Sequence, residues 1–374
     1  MIRNVQALRA FAALWVAWYH TLQPVMNGSY GLQAGTSGLP WLHEAGGVGW
    51  IGVDVFFVIS GFIMAYSTCA MRGGRRDACD FMWKRVKRVV PLYWVLTTAV
   101  VAVAVALPHF FNSYRFELVH ALKSYLFLPA ARPDGTALPP LVPGWTLNYE
   151  MYFYFVFGLL LWVGMHRSLR AFVLVFAGSV VVGQMLQRHS PWPASSMGFL
   201  MTSPLLLEFL AGVAIARAVQ HVHVPSWAAL AAMLCGTALL RYWMIDIPAE
   251  GAAPRHIAEL YRVLVLGVPA ALLVAGAVLL EPAWTFPRPL LHLGDASYSL
   301  YLTHFFIPGL CAKLFVWAEL AHADANLFVG VCMGLIVLCG LFFYRYVEMP
   351  MLRAWKRSRP TTAPAPAPVK VLLP

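Results

Sequence analysis

Residues 47–67 read GVGWIGVDVFFVISGFIMAYS, with Asp54 as the one ionisable side chain among aliphatic, aromatic, Gly and Ser residues. A helix crossing the hydrocarbon core of a bilayer needs roughly 20 mostly apolar residues, so this stretch is long enough to span. Its unbroken apolar character differs from an outer-membrane barrel, whose strands alternate polarity in segments of about ten residues. Outward from it the pattern recurs, with apolar runs near 5–22, 48–68, 89–108, 145–164, 171–187, 199–217, 226–245, 260–280, 294–316 and 327–346. The composition agrees: of 374 residues, 60% are hydrophobic and 11% charged, against roughly 45–50% and 25% in soluble domains. A two-domain soluble enzyme, a disordered or fibrous chain and a nucleic-acid module are excluded. The expected fold is all-α: a polytopic integral membrane protein with about ten transmembrane helices.

The 27 Lys+Arg outnumber the 16 Asp+Glu, for a net charge of +11. Their placement explains the excess. The segment 69–88 carries Arg72, Arg75, Arg76, Lys84, Arg85, Lys87 and Arg88, and the segment 347–374 carries Arg353, Lys356, Arg357, Arg359 and Lys370. Segment 23–47 has no Lys or Arg, and 109–144 has only Arg115, Lys123 and Arg132. Under the positive-inside rule the basic segments face the cytoplasm, so both termini are expected there. The stretch Phe116 to Leu128 is amphipathic and expected at the outer interface. No small-x-small cleavage site follows the first apolar run, which therefore reads as an uncleaved span. The Pro/Ala-rich segment 358–374 is expected to be a disordered cytoplasmic tail. The six cysteines are scattered without paired spacing, which suggests neither a disulfide framework nor a metal site.

Ionisable side chains inside spans cost several kcal/mol on insertion scales (about 2.5–3.5), so each needs a partner, a wet cavity or a function. Arg9 and His20 lie eleven positions apart. At 100° per residue that is three turns plus about 20°, so both share one helix face about 16 Å apart. The spacing suits a long ligand with an anionic head and a reactive end. It also suits an arginine snorkelling to the inner interface and a histidine at the outer one. Asp54 wants a cation or a histidine. The run FMWKRVKRVVPLYW, residues 81–94, is a positive-inside anchor that touches anionic lipid and a candidate phosphate-binding patch. Glu150 sits among aromatics in PGWTLNYEMYFYF, and Glu208 lies in an apolar run. Tyr298, Tyr301 and His304 recur at helical spacing, and Arg345 and Glu348, three apart, can pair with each other.

Taken in order, these motifs resemble the acyltransferase-3 family of membrane O-acyltransferases. QALRAFAALWVAWYH is similar to the family's Arg, ten residues, His signature, on Arg9 and His20. GVDVFFVISGFIM matches its second-span motif on Gly52, Asp54, Phe56, Ser60 and Gly61, and KRVKRVVPLYW its Arg-rich entry to the third span on Arg85, Arg88, Pro91 and Tyr93. WTLNYEMYFY resembles a further element on Trp145, Glu150, Phe153 and Tyr154, while EFLAG, SYSLYLTH and YVEMP complete the order. Thr146 replaces a usual Ser, and Met151 replaces a frequent second carboxylate.

The resemblance implies one membrane acyltransferase domain over 1–357 in the inner (cytoplasmic) membrane. It implies transfer of an acyl group, usually acetyl, from cytoplasmic acyl-CoA to a hydroxyl of a surface polysaccharide or a lipid-linked saccharide. His20 would be the catalytic base or nucleophile, Asp54 its partner, and Glu150 a third catalytic group. Arg9, Arg85 and Arg88 would hold the phosphates of coenzyme A, since guanidinium binds phosphate in bidentate fashion. Trp145, Tyr301 and His304 would contact the substrate. No metal, no permanently bound cofactor and no nucleic acid are implied; acetyl-CoA is a donor substrate, and membrane lipids are the remaining partners. A transporter or flippase of polysaccharide precursors would also want wet carboxylates and a basic inner mouth.

Overall fold

A computed structural model describes residues 2–32, 49–107, 114–222, 224–243 and 255–357. The expected tail 358–374 and most of segment 23–47 lie outside these residues. Among the described residues the regular structure is helical. In chain order the helices are α1 (Arg3–Asn27), α2 (Ile51–Thr68), α3 (Arg75–Ala106), α4 (Leu118–Tyr125), α5 (Gly144–Trp162) and α6 (Leu169–Gln187). Then come α7 (Met197–Met201), α8 (Leu206–Ala218), α9 (Ser226–Trp243), α10 (Arg255–Arg262) and α11 (Val268–Leu280). The last are α12 (Arg288–Asp295), α13 (Ser297–Thr303), α14 (Phe306–Trp317), α15 (Ala325–Phe343) and α16 (Met349–Arg357).

Each expected apolar run carries helix. By length and composition, 6 helices of the described residues can cross a membrane, or 7 if the bent pair α13–α14 is one span. Helices α1, α5 and α9 lie where spans were expected but are too polar or aromatic to meet that standard. The chain is thus a multi-pass membrane protein. Its contacts form two compact units: Met1–Phe56 with Val224–Ala252 and Leu264–Glu348, and Phe57–His223 with Ala253–Val263 and Met349–Pro374.

In the first unit α1 packs on α11, α12, α13, α14 and α15. It does so through small residues: Ala7, Ala10, Ala12, Ala13 and Ala17 are all buried. Small side chains let helix backbones approach closely, the main source of helix association in lipid. Gly294 lies so near the Gln6 carbonyl that a Cβ there would collide with it, and Gly52 stands likewise against the Ala12 carbonyl. The N-terminus of α1 is closed by a carboxylate. Glu281 accepts from the backbone N–H of Arg3 (2.8 Å) and of Asn4 (2.7 Å), two donors that have no partner inside the helix. The buried Asn4 side chain donates to the carbonyls of Ala277 (3.1 Å) and Trp284 (2.8 Å) and accepts from Phe286 N–H (3.1 Å). Glu348, three residues after Arg345, accepts from Ser299 Oγ at 2.6 Å.

The second unit is built on stacked aromatics. Phe209 lies 4.6 Å from Phe57 and 4.5 Å from Phe153, and Phe81 stacks on Phe157 at 5.1 Å. Helices α2 and α8 meet backbone to backbone. A Cβ on Gly61 would strike the Phe209 carbonyl, and one on Gly212 the Val58 carbonyl. Helix α4 buries His120, Ala121 and Ser124 and exposes Leu118, Val119 and Leu122, the pattern expected of an interfacial helix. Ser124 meets Tyr93 Oη at 2.7 Å. After α4, Arg132 folds the chain on itself, its Nε donating to the Leu138 carbonyl (3.0 Å) beneath Tyr114. Burial holds the His120 imidazole below its ordinary range and pushes the Tyr114 phenol up to about 12.

The reciprocal contact at Gly61 and Gly212 has no slack, because both blocking atoms are backbone. Gly61→Ala is expected to destabilise by about 1–3 kcal/mol or more, read as a fall in melting temperature of the purified protein in detergent. Gly178→Ala, which meets nothing within 4 Å, should melt as the parent does.

Candidate active site

In the first unit, two imidazoles face one another. His20 follows three helical turns of small residues on α1, and His304 occupies the break where α13 and α14 meet at 49°. Their ring centroids are 4.9 Å apart. Both rings are fixed in the same way. His20 Nδ1 donates to the Val16 carbonyl (2.9 Å), and His304 Nδ1 donates to the Tyr301 carbonyl (2.6 Å). A carbonyl can only accept, so in the neutral ring the proton sits on Nδ1 and the lone pair on Nε2. His304 is 0% exposed, and its Nε2 has no hydrogen-bond partner among the described residues. Tyr301 lies against His304 at 5.7 Å and against Phe56 at 5.7 Å. Phe305 closes the edge of His20 at 5.8 Å. The result is an aromatic-walled pair of bases.

Arg9 lies on the same helix as His20 but does not snorkel: it is 7% exposed. Its Nη1 donates to Gln6 Oε1 (3.5 Å), and Gln6 Nε2 donates in turn to Asp295 Oδ1 (2.6 Å). Gln6 thus joins the guanidinium to a carboxylate. Asp54 is 0% exposed on the first turn of α2. The described contacts of His20 are with Val16, Tyr19, His304 and Phe305.

The second unit holds Glu150. Its Oε1 accepts from the hydroxyls of Tyr154 and Ser60, the latter at 3.3 Å. The Arg85 guanidinium lies over the rings of Phe81 (5.5 Å) and Tyr154 (5.9 Å). Its Nε is buried without a hydrogen-bond partner among the described residues. Arg88 lies one turn further along α3, half-buried.

Trp145 stands at the start of α5 in a cluster that the sequence reading missed. The Arg262 guanidinium lies 5.8 Å over its ring, and Tyr149 meets it edge-on at 6.0 Å. Glu259 Oε2 accepts from Ser203 Oγ (2.7 Å) and Oε1 from Tyr149 Oη (3.4 Å). The available signal was RHIAELYR, residues 255–262, a charged and amphipathic run at the mouth of an apolar one.

Among the described residues no group of His, Cys, Asp and Glu is arranged to hold a metal ion. The chain matches the Acyl_transf_3 family, described as an acyltransferase domain, over residues 2–345. It is 34% identical over 322 residues to the exopolysaccharide production protein ExoZ of Rhizobium meliloti (strain 1021), covering 84% of this chain and 93% of that protein. It is 26% identical over 397 residues to the acyltransferase MdmB of Streptomyces mycarofaciens, covering 97% and 95%. It is 22% identical over 379 residues to the O-acetyltransferase OatA of Staphylococcus aureus (strain NCTC 8325 / PS 47), covering 93% of this chain and 57% of that protein. No solved structure gives a significant match.

The hydroxyl donors on Glu150 act on one oxygen, so their losses are not expected to add. Tyr154→Phe and Ser60→Ala should each cost about 1.5–3 kcal/mol, the range for hydrogen bonds to charged groups. The double variant should differ from the sum by more than about 0.5 kcal/mol, measured by denaturation in detergent.

Proposed function

The chain belongs to the acyltransferase-3 family, and on that premise we propose that it is an O-acyltransferase that moves an acetyl group from cytoplasmic acetyl-CoA to a hydroxyl of an envelope polysaccharide or its lipid-linked precursor. The names of the exopolysaccharide production protein and the O-acetyltransferases among its relatives support that class of acceptor. The proposal places the chain in the inner membrane with ten spans and both termini cytoplasmic. The distribution of basic residues supports this, with segments 69–88 and 347–374 far richer in Lys and Arg than 23–47 or 109–144.

One observation carries the chemistry. His20 Nδ1 is committed to the Val16 carbonyl, which leaves the Nε2 lone pair for a proton. In the proposed step the acceptor hydroxyl gives its proton to His20 Nε2 while its oxygen attacks the thioester carbonyl carbon. The C–S bond then breaks, and the coenzyme A thiolate takes the proton from the imidazolium as it leaves. The His304 ring, 4.9 Å from that of His20, with its own Nε2 unpartnered among the described residues, walls the same side of the base. In the first unit the family resemblance supports Arg9 for the donor phosphates and Asp54 for the charge that develops on the imidazole; in the second it supports Arg85 and Arg88 for phosphate and Glu150 and Trp145 for the acceptor. Tyr301 walls the reacting centre against water.

General-base effects are typically worth 10²–10⁴-fold. His20→Ala should therefore lower transfer of labelled acetyl onto carbohydrate at least about 100-fold in membranes that contain normal amounts of the protein. His304→Gln, which retains a side-chain donor, should lose less. Wild-type turnover in inserted His20→Ala protein would rule out the mechanism.

A further inference from the structure

Of the cluster around Glu259, only Trp145 has been given a role in the step just described. Three parts of the chain contribute to it: Trp145 and Tyr149 from α5, Ser203 from the turn before α8, and Glu259 and Arg262 from α10. Its members divide by burial. Ser203 is 1% and Tyr149 8% exposed, while Glu259, Arg262 and Trp145 are half-buried. The buried hydroxyls hold the carboxylate, with Ser203 on Oε2 and Tyr149 on Oε1. The Arg262 guanidinium lies over the Trp145 ring at 5.8 Å. Each charge is thus held by a less polar support, and both stay half-buried. Glu259 and Arg262 are three residues apart on one helix, which places them on the same face.

A carboxylate and a guanidinium on one helix face bring hydrogen-bond acceptors and a rigid fork of donors to the same side. A sugar diol is the complement, because each hydroxyl both donates and accepts. An anion would be repelled by Glu259 and a cation by Arg262, so a neutral polyhydroxylated ligand is the best match. In the proposed topology Trp145, Ser203 and residues 259–262 all lie at outer ends of spans, the side on which the carbohydrate acceptor arrives.

We propose that Glu259 and Arg262 bind neighbouring hydroxyls of a pyranose in the acceptor, with Ser203, Tyr149 and Trp145 as positioning residues. The site rests on the acyltransferase reading for its location and role. It accounts for acceptor selectivity by residues that take no part in acyl transfer itself.

The test uses the full-length protein in lipid nanodiscs with acetyl-CoA and a panel of oligosaccharides built from neutral hexoses, N-acetylhexosamines or hexuronates. Glu259→Gln and Arg262→Lys keep size and one polar contact each. Each should raise KM for the best panel saccharide about tenfold or more while KM for acetyl-CoA stays within twofold. Arg262→Lys is the sharper probe, since lysine keeps the charge but not the planar fork. Trp145→Phe should raise the saccharide KM less than Trp145→Ala does. Direct saccharide binding, measured by thermophoresis on the same nanodiscs, separates the two readings. Binding that the variants weaken, without transfer by the parent protein, upholds the subsite and removes the acyltransferase reading. Transfer with an unchanged saccharide KM in folded variants overturns the subsite and leaves the enzyme. Equal increases in both KM values, or no saccharide binding to the parent protein, also overturn it.

Discussion

A polar group in hydrocarbon has no water to turn to, so the chain itself must answer every buried N–H, carbonyl and charge. Much of this architecture follows from that one requirement. The first turn of α1 exposes backbone donors that no helix can satisfy internally, and the Glu281 carboxylate closes two of them. Asn4 ties the same turn to the Ala277 and Trp284 carbonyls. Glu348 finds Ser299, Glu150 finds Ser60 and Tyr154, and Glu259 finds Ser203 and Tyr149. Against this background the bare Nε2 of His304 is one of the exceptions among the described residues, as is Arg85 Nε. A buried lone pair without a donor is costly, and its neighbour is the imidazole to which the catalytic role is assigned.

Close packing supplies the second half of the argument. Lipid tails are as apolar as leucine, so helices in a membrane adhere mainly through contact. The alanine face of α1 and the glycines pressed on carbonyls at Gln6, Ala12, Val58 and Phe209 give that contact here. A helix held backbone to backbone cannot turn about its axis without a clash. That rigidity fixes where α1 presents Arg9 and His20 and where α2 presents Asp54 and Ser60.

Much of this was legible in the sequence, and the reason is physical. Span-length apolar runs mark helices through composition alone, and helix is found at each expected run. The Arg9 and His20 spacing, GVDVFFVISGFIM and SYSLYLTH carried the family, which the match over residues 2–345 bears out. What stayed hidden depends on long-range pairing. Nothing local says that Glu281 caps a helix 278 residues earlier, or that Ser203 and Glu259 share a hydrogen bond. Nor does local spacing announce that Glu348, in the π turn Tyr344–Glu348, meets Ser299, 49 residues earlier. His304 was visible as a helical neighbour of Tyr301. Its placement against His20 required the bend between α13 and α14.

The central claim is that acetyl crosses from a donor on one side of the membrane to a hydroxyl on the other. Proteoliposomes of one orientation test it most directly, with the basic segment 69–88 facing the lumen. Labelled acetyl-CoA is sealed inside and saccharide is added outside. The account predicts label on the external saccharide, and none when donor and acceptor exchange places. Label that appears only when donor and acceptor share a compartment would contradict it.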